Sequence, residues 1–186
     1  GWETRTDLSQ FMNIIVRKYD TNGVLQWTTT YNSPGNNDDF GSGIALDAGG
    51  GSVYVTGSER RDDIGQSYNA VIRKYNSGGQ LIWAVTNNGA INGNDSGYSV
   101  AVNASGEVFV AGHIETSAGD EAFWLRKYDS AGSPLWTQTY NSPGNDNDIC
   151  TAVAVDASGN AYVAGYEKRI DLNQSYDIRV MKYDST

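Results

Sequence analysis

The chain has 186 residues, a length that usually makes one domain with an adequate core, and a formal net charge of −9. That charge opposes binding to nucleic-acid phosphates and to anionic membrane surfaces, and no apolar run approaches the roughly 18 residues that cross a bilayer. With 22 glycines against 3 prolines, the turns must rest on Gly, Asn and Asp.

From the amino end, Met12 to Tyr19 predicts a strand that closes on the tetrad Arg17-Lys18-Tyr19-Asp20. Asp20-Thr21-Asn22-Gly23 turns it into a second strand, Val24 to Thr30, which carries Trp27. A polar loop runs from Tyr31 to Asp39. The next four strands are predicted at Ser42 to Asp47, Ser52 to Gly57, Asn69 to Tyr75 and Gln80 to Val85. They are joined by a turn over Asp47–Gly51, a longer loop from Glu59 to Ser67, and a turn over Asn76–Gly79. Period-2 alternation between turn signals is the basis for each. After the loop Thr86 to Asp95 the same pattern returns, with turns at Asn103-Ala104-Ser105-Gly106 and Asp129-Ser130-Ala131-Gly132 and a tryptophan at Trp136. It returns again after Asp148, through Asp156-Ala157-Ser158-Gly159 to a closing strand, Tyr176 to Tyr183. Each turn opens with Asp or Asn, which hydrogen-bonds its own turn, and holds Gly where φ is positive. No stretch shows helical periodicity with caps.

These elements are copies of one unit of roughly 55 residues. The tetrad recurs at Arg73-Lys74-Tyr75-Asn76, Arg126-Lys127-Tyr128-Asp129 and Met181-Lys182-Tyr183-Asp184, the tryptophan at Trp27, Trp83 and Trp136, and one glycine at Gly1, Gly57, Gly112 and Gly165. Four short antiparallel strands per unit predict an all-β fold of β-propeller blades. The chain reads as a single repeat array: a partial blade over 1–38, full blades over 39–94 and 95–147, and a blade lacking its outer strand over 148–186. Gly1 falls in mid-repeat, so the native N-terminus is expected upstream, and the lack of a visible signal peptide says nothing. The three tryptophans are expected to be buried between blades. Cys150 has no partner for a disulfide within the chain and is expected to be a small buried hydrophobe at a strand start.

The block Asp156-Ala157-Ser158-Gly159-Asn160-Ala161-Tyr162-Val163-Ala164-Gly165, followed by Lys182-Tyr183-Asp184, resembles the SBBP β-propeller repeat of bacterial and archaeal surface proteins. Asn103-Ala104-Ser105-Gly106-Glu107-Val108-Phe109-Val110-Ala111-Gly112 is the same block, and the resemblance covers essentially the whole chain. It implies a multi-bladed propeller in a secreted or cell-surface protein, with no common catalytic residues. The spacing from Asp129 through Gly132 to Trp136 is similar to the tryptophan-docking motif of quinoprotein propellers. That similarity implies a blade-to-blade packing role for Trp27, Trp83 and Trp136, and no quinone.

In a propeller the short first-to-second and third-to-fourth turns share one face, and the longer polar loops share the other. Loops on a rigid scaffold concentrate binding, so the second face is the candidate. It carries Glu3, Arg5 and Asp7, Glu59, Arg61 and Asp63, and Glu167, Arg169 and Asp171, a Glu-x-Arg-x-Asp pattern that the middle unit breaks with His113-Ile114-Glu115. Such residues form surface ion pairs, a blade-to-blade network or ligand contacts. The same face carries acidic inter-blade loops with Asp38, Asp39, Asp95, Asp146 and Asp148. Their clustered oxygens suit calcium or cap the backbone entering the innermost strand. No other cofactor is expected.

His113 is the only histidine and Cys150 lies in another blade, so no His/Cys metal set exists. No enzyme activity and no catalytic residue are therefore expected. The reading is a non-catalytic propeller scaffold or recognition module, extracellular or at the cell surface, for a protein or glycan partner. One alternative is a subunit of an extracellular ring or fibre, self-associating through open blade edges by strand addition. Another is a carbohydrate-active propeller enzyme.

Overall fold

A computed structural model describes residues 1–8, 10–144 and 146–185, without the side chain of Asp7. The described residues are all-β, apart from one-turn 3-10 segments at Thr6–Leu8, Asp62–Ile64 and Ile170–Leu172. The first sheet holds β1 (Trp2–Thr4), β2 (Met12–Tyr19) and β3 (Leu25–Tyr31); the second holds β4 (Asp39–Leu46), β5 (Ser52–Arg60), β6 (Tyr68–Asn76) and β7 (Leu81–Asn87). The third holds β8 (Ser96–Val102), β9 (Val108–Ser117), β10 (Asp120–Tyr128) and β11 (Pro134–Tyr140); the last holds β12 (Ile149–Val155), β13 (Ala161–Lys168) and β14 (Tyr176–Tyr183). All pairs are antiparallel and each sheet follows chain order.

The short turns form as their residues predict. The Asp20 side chain accepts the amides of Asn22 and Val24, and Asn76, Asn103, Asp129 and Asp156 repeat this two and four residues on. The strands differ from expectation at three places, and β5 runs on past Gly57 to Arg60, taking Glu59 into the sheet. β4 begins at Asp39, three residues earlier than the alternation suggests, because a bulge between Gly41 and Gly43 breaks the period. β1 is an unforeseen strand, three residues long, too short to show a period.

The same bulge recurs between Gly97 and Ser99 and between Cys150 and Ala152. It pushes the carbonyls of Phe40, Ser96 and Ile149 against Gly57, Gly112 and Gly165, where a Cβ would lie 1.8–1.9 Å from the oxygen. The recurring glycine is therefore a steric requirement. Cys150 sits in the last of these bulges, fully buried, and burial pushes its thiol up to about 12.

Alternation along each strand sends side chains to two interfaces. On β5, Val53 and Val55 pack with Ile14 and Val16 of the first sheet, and Tyr54 packs with Val108 and Val110 of the third. On β9, Val108 and Val110 face back while Phe109 and Ala111 join Ala161 and Val163 of the last sheet. Each of the two inner sheets thus contributes one apolar face to the core before it and one to the core after it, and β4, β8 and β12 are neighbours in succession.

A polar latch repeats at the turn end. Trp27 and Lys18 both donate to the carbonyl of Ser77, at 2.9 and 3.3 Å. Trp83 and Lys74 do the same to Ser130, both at 3.1 Å. The indoles lie over Gly79 and Gly132, which have φ of +83° and +89°. The three tryptophans are half-buried rather than buried: Trp27 and Trp83 lie across the neighbouring turn at the surface, and Trp136 stands against Tyr183.

Candidate binding site

The longer loops gather at the opposite end, and the carboxylates there are structural to different degrees. Glu59, at the end of β5, is 1% exposed. It accepts hydrogen bonds from the Tyr31 hydroxyl of the first sheet and, at 2.9 Å, from the Thr86 hydroxyl of its own. Arg61 lies 3.6 Å from it, and the Arg73 guanidinium sits 3.6 Å over the Tyr31 ring. Burial, then the bond to Glu59, pushes the Tyr31 phenol well above its ordinary range. Glu167 repeats the arrangement: it accepts from Tyr140 at 2.7 Å and from Arg179 at 3.4 Å. Glu3 is more open and meets Arg17 at 3.4 Å and Arg5 at 3.9 Å.

The other members turn outward. Arg61 clasps Asp63 at 2.9 and 3.1 Å, and Arg169 clasps Asp171 at 2.8 Å through both oxygens. Each arginine's hydrogen bond holds its partner carboxyl below the ordinary range. Both clasps stay within one loop. The Asp7 side chain lies outside the described residues. In the middle unit Ile114 stands where the other units have Glu, and Asn87 stands where they have Tyr31 and Tyr140. The two changes belong together: Ile114 packs on the core, and Asn87 bonds Tyr128 and Arg126 instead.

Asp39, Asp95 and Asp148 are fully buried caps. Asp39 accepts the Ser33 amide at 2.6 Å. Asp95 accepts the amides of Gly89 and Glu115, and Asp148 those of Ser142 and Lys168. Asp95 and Asp148 so tie the loop before their first strand to a strand beside it in the same sheet, and Asp39 holds its loop through Ser33. Burial pushes Asp39 up to about 6, against the downward pull of the Ser33 amide, and raises Asp95 and Asp148 too. Asp38 accepts the Met12 amide at 3.2 Å, and Asp146 pairs with Lys168 at 2.7 Å. Among the described residues no group of three or more His, Cys, Asp or Glu side chains is placed to hold a metal.

At the same end lies a feature that sequence reading missed. Trp2, Phe40, Tyr68 and Tyr98, with Gly41, Ser42, Ser58 and Ser96, line a cleft of about 390 Å³. Trp2 stands edge-on to Phe40 (centroids 6.1 Å, 87°), and Phe40 lies 5.9 Å from Tyr68. A signal was present. Trp2, Ser58, His113 and Tyr166 occupy one repeat position, Phe40, Ser96 and Ile149 another, and Ser42, Tyr98 and Thr151 a third. These positions change identity while the adjoining Gly and Asp do not. In the third sheet the site is filled: His113 is buried beneath Tyr98 (5.4 Å), and burial lowers its imidazole to about 4.

No known protein family matches the chain, and no curated protein matches it in sequence. Among solved structures it is similar to a protein of unknown function from Bacteroides caccae, with a TM-score of 0.51 and 12% identity. The similarity covers 100% of this chain and 62% of that one, so the chain spans less than two thirds of that structure. A likeness at this identity concerns the fold alone.

Proposed function

We propose that the chain is a run of consecutive β-propeller units of the SBBP-repeat type, serving as a non-catalytic recognition scaffold of a secreted or cell-surface protein. The observation that carries this reading is the division of labour between the two ends of the sheets. At one end, short Asx turns and the tryptophan–lysine latch repeat with little change. At the other, an equally rigid frame of buried carboxylate caps presents residues that differ from unit to unit. A constant scaffold with variable loop-end side chains suits recognition. The test is the purified chain on arrays of extracellular proteins and glycans, with product analysis. Saturable binding without turnover is the expected result; turnover of a bound glycan favours a carbohydrate-active enzyme.

A second reading, a subunit of a ring or fibre, rests on the open ends. Beside the first sheet lies a groove of about 600 Å³, lined by Val16, Tyr19, Trp27, Ile44, Leu46 and Val53 among others. On the last sheet, Ile178 and Val180 are 86% and 67% exposed. They occupy the repeat positions of Phe123 and Leu125, which the next sheet covers. Binding to no arrayed ligand, together with mass that grows with concentration, favours this reading.

A further inference from the structure

We propose that the cleft between Trp2, Phe40, Tyr68 and Tyr98 is a binding site for a neutral oligosaccharide. This inference rests on the recognition reading and supplies its ligand class. Aromatic rings and serine hydroxyls share the wall of the cleft, with Ser42, Ser58 and Ser96 set among the rings. A pyranose has the complementary surface: faces of C–H bonds that lie against aromatic rings, and a rim of hydroxyls that exchange hydrogen bonds with serines. A wholly apolar ligand would leave the serine hydroxyls desolvated and unpaired.

Charge narrows the class further. The chain carries a formal charge of −9, yet the lining holds no Asp, Glu, Lys, Arg or His. Arg60, 5.6 Å from the Tyr68 ring centroid, is paired with Asp62 at 2.9 Å. The lining therefore offers no charged side chain to a phosphate, a carboxylate or a basic group. Its volume, about 390 Å³, lies at the small end of the roughly 300–1,000 Å³ of ligand pockets, a size for one or two sugar rings of a longer chain. The residues come from three sheets: Trp2 from the first, Phe40, Ser42, Ser58 and Tyr68 from the second, Ser96 and Tyr98 from the third. The carboxylate caps at Asp39 and Asp95 tie the loops before β4 and β8 to those strands, so the strand ends at the cleft are held in place. Trp2 is half-exposed with its ring standing on Phe40, as a stacking platform requires.

The experiment is titration of the full chain with maltohexaose, cellohexaose, xylohexaose and chitohexaose, and with polygalacturonate as a charged comparison. Binding is read by calorimetry and by saturation transfer to the Trp2 indole in the parent protein. At least one neutral chain is expected to bind and to reach Trp2. Trp2→Ala, which removes an exposed ring, and Ser42→Arg, which obstructs the cleft from an exposed position, should each weaken binding by about tenfold or more. Leu135→Ser, on β11, should leave it unchanged. Binding by none of the four neutral chains overturns the proposal, as does binding that both variants retain, or polygalacturonate binding as tightly. A non-sugar partner whose binding survives Trp2→Ala sinks this site and leaves the recognition reading intact. No partner of any kind sinks both.

Discussion

Glu59 lies within a run of charged residues, and a run of that composition ordinarily faces solvent. Its carboxylate instead bridges two sheets, fully desolvated, with a phenol and a hydroxyl as donors. Removing a buried acceptor strands its donors, so Glu59→Ala should cost roughly 2–4 kcal/mol and Tyr31→Phe only about 1 kcal/mol. Urea unfolding measures both, and equal, negligible effects would remove the bridging role. Two other buried groups oppose each other in pH dependence. Burial holds His113 near 4 in the folded chain, below its ordinary 6.5, so its contribution is lost as pH falls through that window. Asp39 is raised from 3.8 to about 6, so the folded chain takes up that proton first and gains stability over a similar range. Asp95 and Asp148 shift in the same direction as Asp39. His113→Gln should therefore unmask a stability that rises as pH falls from 7 to 5, relative to the parent. Parallel melting-temperature profiles for the two proteins would contradict this.

At the scale of elements, a latch of tryptophan, lysine and turn carbonyl joins the first sheet to the second and the second to the third. Its glycines are there for two reasons at once: a positive φ that a side chain resists, and an indole pressed on the Cα. A Cβ at Gly79 would lie 2.8 Å from the Trp27 ring, and one at Gly132 2.9 Å from Trp83. Gly65 also has positive φ, +71°, but a Cβ there would meet nothing within 4 Å. Gly65→Ala should then cost about 1 kcal/mol, and Gly79→Ala or Gly132→Ala clearly more. Thermal unfolding of the three variants decides it; equal costs would mean that the indole does not press on the turn. Trp83→Ala should fall at the lower end of roughly 3–5 kcal/mol, because the ring is half-exposed. The latch is incomplete at the last sheet, where Lys127 reaches the Ser185 carbonyl at 2.7 Å while the Trp136 indole stands against Tyr183 (6.4 Å).

At the scale of the molecule, stability is shared between neighbouring sheets, as in any stacked array. The two outermost sheets each leave a surface that inner sheets cover. Ile178 and Val180 form part of it on the last sheet, and beside the first sheet Ile44 and Leu46 of the second stand exposed in the groove. On the assembly reading, light scattering of the parent should show mass rising with concentration, and the pair Ile178→Lys with Val180→Lys should hold the chain monomeric. Because both side chains are exposed, the pair should leave the unfolding midpoint nearly unchanged. Strictly monomeric parent protein at high concentration would end the assembly reading.

What the residue order determined by itself is local: the strands, the Asx turns, the glycines at positive φ and the repeat that multiplies them. Each depends on residues within a few positions of one another, so each leaves a periodic mark. The antiparallel four-strand unit follows from that mark, and so does a glycine at Gly57, Gly112 and Gly165, although the bulge that demands it does not. Tertiary structure alone decided which charges are buried. Glu59 and Asp63 belong to the same motif, yet one is sealed between sheets and the other is clasped by Arg61 at the loop. It also decided that Trp2, Phe40, Tyr68 and Tyr98 share a cleft. Those rings come from three sheets, and nothing in their sequence spacing brings them together. Only the face-to-face packing of one unit on the next, driven by burial of apolar strand faces, sets which side chains from different units meet.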